Sequence, residues 1–399
     1  MKPFNLGTLV AGTAALLVGL SVLPAQAATG HPATPHAANP SAASASTFTP
    51  VAPQRVLDTR TPGGEIPARG AVSLAMPSTV PANATAVVLN ITGTDSNAPT
   101  YLAVGPLVGE NFLSSNLNLA TGETRANLAT VELGAHGVMV TAGPAAVNAI
   151  IDLDGYYAPG SGGAGFTPTS PIRMLDTRNS APVGQNSTFT LDVSQRVPAG
   201  ATAVVFNLTA LDASASTFVT AYADGTSLPL ASNLNLVPGV ITPNLVTVPI
   251  SADRKVDLHN AFGSVDLIAD LSGYYTPGSG QSFYALAPTR VLDTRETSNP
   301  ISGHESRTVE MGTWLPPTAT AVVFNLTGTN VNATTLMTAY PYGSSLPLAS
   351  NLNLVPGQTS ANLAVVALPN TTNITLFNLT DFVDAVVDVA GYFGPAAAA

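Results

Sequence analysis

Pro53-Gln-Arg-Val-Leu-Asp-Thr-Arg60 recurs as Pro171-Ile-Arg-Met-Leu-Asp-Thr-Arg178 and again as Pro288-Thr-Arg-Val-Leu-Asp-Thr-Arg295. These starts set a period far longer than the roughly 20–50 residues of a solenoid repeat, so the chain reads as an array of whole domains. Aligned outward from the motif, the copies occupy residues 48–158, 166–276 and 283–394. Each copy is long enough to enclose its own core. Between them lie Pro159–Gly165 and Pro277–Ser282, Gly/Ser-rich joints of the kind that allow neighbouring domains some swing, and the sequence leaves open both separate beads and a closed pseudo-threefold body.

Within a copy the apolar pattern has period two. Val87, Leu89 and Ile91 alternate with Val88, Asn90 and Thr92. The second copy places Val204, Phe206 and Leu208 at the first set, and the third Val322, Phe324 and Leu326. That is the pattern of a strand with one face on a core. The closing segment repeats it, with Val147, Ala149, Ile151 and Leu153 on one side and Asn148 and Asp152 on the other. Tyr101–Val104, Ser115–Leu119, Ala126–Leu133 and Gly137–Val140 come between, separated by Gly, Pro and Asn. About eight short strands per copy, with no helical period, predict an all-β chain. The expected architecture is three tandem antiparallel β-sandwiches, of immunoglobulin-like or jelly-roll kind.

Composition narrows the function classes. Charged residues are 9% of the chain, against roughly 25% in typical soluble proteins, and the net charge is −10. Lysine occurs only as Lys2 and Lys255. A nucleic-acid partner, which needs clustered cations, is not expected, nor is a polybasic membrane patch. With no cysteine, disulfides, thiol catalysis and Cys-ligated metal are excluded. Residues 1–27 read as a signal peptide: Lys2, an apolar run from Leu6 to Leu23, then Ala25-Gln-Ala27. No other stretch approaches the roughly 20 apolar residues of a spanning helix. Residues 28–47 read as a disordered leader, and its His31 and His36 as solvated side chains rather than metal ligands. The tail from Gly394 to Ala399 reads as neither sorting signal nor anchor, so the expectation is a secreted, extracellular chain, released or held to the cell wall non-covalently.

Two polar constellations recur in all copies. The first is the motif's Arg55/Asp58/Arg60, Arg173/Asp176/Arg178 and Arg290/Asp293/Arg295, with Asp152, Asp270 and Asp388 in the closing strands. If the motif is extended, Asp58 and Arg60 share a face and Arg55 points the other way. One Arg of each pair is expected to clamp the first strand to the last through the closing Asp, bidentate geometry suiting such a bridge. The alternative is an anionic ligand such as a uronic acid. The second constellation is amide-rich: Asn116, Asn118 and Asn127, matched by Asn233, Asn235 and Asn244, and by Asn351, Asn353 and Asn362. These amides read as braces for loop backbone. The alternative is a sugar-binding row, since each amide offers both donor and acceptor. The repeated Gly155-Tyr156, Gly273-Tyr274 and Gly391-Tyr392 read as strand-end packing.

Arg-Val-Leu-Asp-Thr-Arg near the start, Ser-Asn-Leu-Asn-Leu in the middle and Asp388-Val-Ala-Gly-Tyr-Phe393 at the close resemble a module recurring in secreted actinomycete proteins. There it stands in tandem or appended to exported hydrolases. The resemblance covers nearly all of residues 48–394. It implies an exported protein built of β modules and assigns no ligand.

No catalytic or cofactor reading follows. His136, His259 and His304 fall at unrelated positions, and no Gly-x-Ser-x-Gly elbow frames a nucleophile. Asp152-x-Asp154 occurs in one copy only, too few oxygens for calcium. Asn90-Ile-Thr92 is a sequon by pattern alone. The expectation is a non-enzymatic secreted protein that binds an extracellular or cell-wall glycan with avidity. The alternatives are a structural or adhesive protein engaging other surface proteins and, last, an unrecognised hydrolase.

Overall fold

The computed structural model describes residues 44–60, 64–107, 114–160 and 162–396. The predicted signal peptide, most of the predicted leader and both of its histidines lie outside them.

Among the described residues the chain is all-β, with one 3-10 turn at Thr177–Asn179. The first copy contributes β1 (Thr47–Asp58), β2 (Ala71–Ala75), β3 (Ala86–Thr94), β4 (Thr100–Pro106), β5 (Leu117–Leu119), β6 (Arg125–Glu132), β7 (Gly137–Ala142) and β8 (Asn148–Ala158). The second runs through β9 (Ala164–Asp176), β10 (Ser187–Asp192), β11 (Ala203–Leu211), β12 (Thr217–Ala223), β13 (Leu234–Leu236), β14 (Thr242–Pro249), β15 (Lys255–Asn260) and β16 (Asp266–Pro277). The third runs through β17 (Ser282–Asp293), β18 (Ser306–Val309), β19 (Ala321–Thr329), β20 (Thr335–Pro341), β21 (Leu352–Leu354), β22 (Ser360–Ala367), β23 (Ile374–Asn378) and β24 (Asp384–Gly394).

In each copy one sheet has the order first, eighth, third, sixth, and the other second, seventh, fourth, fifth. All pairs are antiparallel, and first meets eighth, second seventh, third sixth and fourth fifth. A long hairpin rolled up on itself gives that nesting, so the jelly roll, left open by the sequence beside the immunoglobulin sandwich, is the topology found. Turn chemistry repeats with it. The residue after the third strand is Asp95, Asp212 or Asn330, each at positive φ (59°, 52°, 56°), where Asp and Asn are better tolerated than most residues.

Between the two sheets of each copy lies its own apolar core, built in the first copy around Leu89, Ile91, Leu102, Leu117 and Val140. A fourth core corrects the expectation of one-faced strands. Every residue of β3, β11 and β19 is buried. Val88, Val205 and Val323 turn away from their own cores into a cluster shared by all three copies, with Phe48, Phe166 and Phe283. The first sheets thus face one another about a common axis.

The joints are stitched rather than free, a second correction. Ala164 pairs with Phe48, Gln281 bridges to Phe166, and Ser46 bridges to Phe283 with N···O distances of 3.0 and 2.8 Å. The three contacts are equivalent, so the last residues assigned to the leader, 44–47, belong to the folded body and close it into a ring. Swinging was expected from Gly and Ser composition. The backbone pairing on either side removes that freedom.

Candidate functional site

The repeated charged motif is consumed inside the body. Arg55 Nε lies 2.6 Å from Asp152 Oδ1 and Nη2 3.2 Å from Oδ2, while Nη1 reaches Asp58 Oδ2 at 3.3 Å. Arg173 holds Asp270 at 2.6 and 3.2 Å and Asp176 at 3.0 Å. Arg290 holds Asp388 at 2.9 and 3.1 Å and Asp293 at 3.3 Å. The first Arg of each pair therefore joins first strand to last. Among the described residues the second Arg (Arg60, Arg178 or Arg295) grips only the neighbouring Asp of its own motif, Asp58, Asp176 or Asp293. Simple alternation had put Arg55 opposite Asp58. A register shift between Arg55 and Leu57 inserts one extra residue and brings both to the same side.

Electrostatics follow burial. The hydrogen bonds from Arg60 hold the Asp58 carboxyl down at about 2, against partial desolvation. Arg178 lowers Asp176 in the same way. For Asp293 burial pushes upward, but the hydrogen bond and charge of Arg295, with Arg290, win and the value falls. Asp152, Asp270 and Asp388 lie deeper, and desolvation raises them despite their Arg partners.

Two of the same arginines reach across the seams. Arg55 Nη2 donates to Leu230 O and Arg173 Nη2 to Leu348 O, both at 2.6 Å. These two clamps thus fix the Leu-Pro-Leu loops of the second and third copies. The motif's Thr, unremarked in the sequence, is buried as well. Thr59, Thr177 and Thr294 accept from the backbone N–H of Ala149, Leu267 and Ala385 at the start of the closing strand, at 2.9–3.0 Å.

The amides form a closed ring between copies. Asn244 Oδ1 accepts from Leu128 N, Asn362 Oδ1 from Leu245 N and Asn127 Oδ1 from Leu363 N, at 2.9, 2.9 and 3.0 Å. Their Nδ2 groups donate to Asn90, Asn207 and Asn325 Oδ1 of the neighbouring copy. Those three in turn donate to Ser232, Ser350 and Ser115 carbonyls. Within a copy, Asn116, Asn233 and Asn351 accept from Val104, Ala221 and Ala339 N–H groups at 2.7 Å and brace the fifth-strand loop. Asn118, Asn235 and Asn353 accept from Ser115, Ser232 and Ser350 hydroxyls.

Asn118, Asn127, Asn244 and Asn362 are at most 1% exposed, so the sugar-row alternative is corrected for them: no ligand reaches these amides. Asn90 is equally buried. Its signal in the sequence was an Asn at the same central position of an otherwise apolar strand in all three copies.

On the axis, six rings pack together. Phe48 meets Tyr275, Phe283 meets Tyr157 and Phe166 meets Phe393, with centroids 4.2–4.3 Å apart. Tyr157 and Tyr275 share a hydroxyl hydrogen bond of 2.5 Å, and desolvation raises both phenols. The glycines of the Gly-Tyr pairs stand where a Cβ would collide with the Phe48, Phe166 and Phe283 rings. Gly155, Gly273 and Gly391 therefore let the axial rings close against the sheet. Tyr156 and Tyr274 pack on the cores of their own copies, and Tyr392 is buried in its own.

Two features lie outside the repeats. Asp154 is buried at the bulge of β8, and neither of its oxygens has a hydrogen-bond partner among the described residues. Burial, then the charge of Asp152, push its carboxyl well above the ordinary range. Arg125, 3% exposed, sits where the turns before β6, β14 and β22 converge, bound to Glu123 and to the Ser360 hydroxyl of the third copy. Among the described residues no cluster of three His, Asp or Glu is placed to hold a metal ion. No helix among them is long and apolar enough to cross a membrane.

No family model matches the sequence, and no curated protein does. Solved structures give distant likenesses. The tandem CBM22-1–CBM22-2 domain of Paenibacillus barcinonensis Xyn10C is 12% identical, with a TM-score of 0.19, over 57% of this chain and 93% of its own. The triple jelly roll of an archaeal virus turret is 8% identical, with a TM-score of 0.18, over 89% and 91%. A Sulfolobus Turreted Icosahedral Virus structure is 9% identical, with a TM-score of 0.18, over 88% and 92%. At such scores none of these carries an argument about function.

Proposed function

We propose that the chain is a secreted, non-catalytic binding body that presents three related surfaces in fixed geometry to an extracellular or cell-wall polymer, a glycan in the first instance. The observation that carries this reading is the closure of three copies about one axis by equivalent contacts. A repeating polymer can engage equivalent surfaces together, and rigid spacing maintains the effective concentration of the second and third contacts once the first has formed. The repeated Arg, Asp and buried Asn belong to the architecture in this reading, so binding falls to the outer sheets and loops. Non-catalysis is supported by the absence of any repeated His in the sequence and by the commitment of the repeated carboxylates to Arg.

One observation favours protein contacts as the second reading. Leu230 and Leu348 are each 82% exposed at equivalent loop tips, and an apolar partner surface suits them better than a sugar does. Incubating the full chain with insoluble cell-wall polysaccharide, beside a glycan array, tests both. Retention on polymer, weaker for short oligosaccharides of the same sugar, supports the proposal. No retention, with self-association lost in Leu230→Ser/Leu348→Ser, overturns it in favour of the second reading.

A further inference from the structure

The end of the axis marked by Arg125 is open. The turns that precede β6, β14 and β22 surround a funnel of about 670 Å³, within the roughly 300–1,000 Å³ of small-molecule sites. Its walls are mainly apolar, with Leu236, Val237, Val240 and Val355 prominent. Val237 and Val355 are 51% and 40% exposed at its mouth. An apolar cavity with a few polar groups is the usual make-up of a ligand pocket.

The polar group here is one that threefold repetition does not supply. The position of Arg125 is Thr242 in the second copy and Ser360 in the third, and that of Glu123 is Val240 and Gln358. The guanidinium is pre-positioned. Nε donates to Glu123 Oε1 at 2.8 Å, Nη1 donates to Ser360 Oγ, and Glu123 Oε2 is itself anchored on Ala120 N at 2.8 Å. Nη2 donates to no oxygen among the described residues, and Arg125 lines the funnel. A spare, charge-assisted donor beneath an apolar mouth selects an oxygen anion attached to an apolar body.

We infer that this axial funnel is a binding site for a small monocarboxylate with an apolar chain, its carboxylate on Arg125 Nη2 and its chain against Val237 and Val355. Nη1 completes a two-point contact when the ligand displaces Ser360 as its acceptor. Because Glu123 already neutralises much of the Arg charge, the apolar walls supply a large part of the affinity and the guanidinium supplies the discrimination. The site is independent of any polymer bound on the outer surfaces.

Isothermal titration of the full chain with sodium octanoate and with octan-1-ol, its neutral counterpart, tests this. The expected result is saturable one-to-one binding of octanoate, about tenfold or more tighter than the alcohol, the worth of one charge-assisted hydrogen bond. Arg125→Thr, the residue of the second copy, is expected to abolish that preference. Val237→Asp, a change at an exposed position that leaves the seams intact, is expected to abolish octanoate binding. Ser360→Ala, which removes only the competing acceptor, is expected to retain it. Should Arg125→Thr fold poorly, the other two variants decide. Absence of saturable octanoate binding to the unaltered chain, or binding unchanged in Val237→Asp, overturns the inference and leaves Arg125 as a staple between the first and third copies.

Discussion

Arg173 donates two hydrogen bonds to Asp270 across the first and last strands of the second copy, with the carboxylate buried and the guanidinium mostly so. Removing one member strands the other charge, which costs about 3–5 kcal/mol. Arg178, nearly half exposed, pairs with Asp176 in water, where such a bond contributes about 0–1 kcal/mol. Double-mutant cycles read by denaturant unfolding are therefore expected to show strong coupling for Arg173 with Asp270 and little for Arg178 with Asp176. Asp154 is the opposite case, a buried carboxyl with no hydrogen-bond donor among the described residues. Its folded-state value is raised, so the native state binds more protons than the unfolded state once pH passes the ordinary value of 3.8, and stability falls as pH rises through that window. Asp154→Ser, which copies Ser272, is expected to stabilise the chain at neutral pH by about 1–3 kcal/mol. The gain should vanish near pH 3.5 in unfolding curves taken across the range. A gain independent of pH would contradict the assignment.

At the scale of strands and loops, the pairing of copies runs through the amide ring. Asn244→Ala would leave Leu128 N–H, Asn233 O and Asn90 Oδ1 without their partner. Each unpaired buried group costs about 1–3 kcal/mol, so a loss of roughly 3 kcal/mol or more is expected in chemical denaturation. Asn235→Ala, at a half-buried position bonded to one hydroxyl, should cost about 1 kcal/mol. Similar losses for the two would show that the ring is not what joins the copies. The strands themselves were legible, because alternation at Val87, Leu89 and Ile91 reports burial of one face. Burial of the other face was not. Val88 and Asn90 facing a neighbouring copy look in sequence like residues facing solvent, since period two says that faces differ and nothing about what covers the second. Bulges were equally silent, and one extra residue between Arg55 and Leu57 was enough to reverse the expected sidedness of the motif.

For the molecule as a whole, triplication was plain in the chain and closure was not. A Gly/Ser joint has the same composition whether it swings or pairs with its neighbour. What reveals pairing is register, Ala164 on Phe48, Gln281 by Phe166 and Ser46 by Phe283. The axial aromatic cluster was similarly hidden, because its six rings come from six different strands and touch only after three sandwiches have assembled. A shared core makes the copies one body. Small-angle X-ray scattering from residues 44–396 tests this most directly. The closed ring predicts a single compact particle with a radius of gyration of about 20 Å, as for one globular unit of that length. A radius on the order of 30 Å, with separate inter-domain peaks in the distance distribution as for three strung-out units of this size, would contradict it.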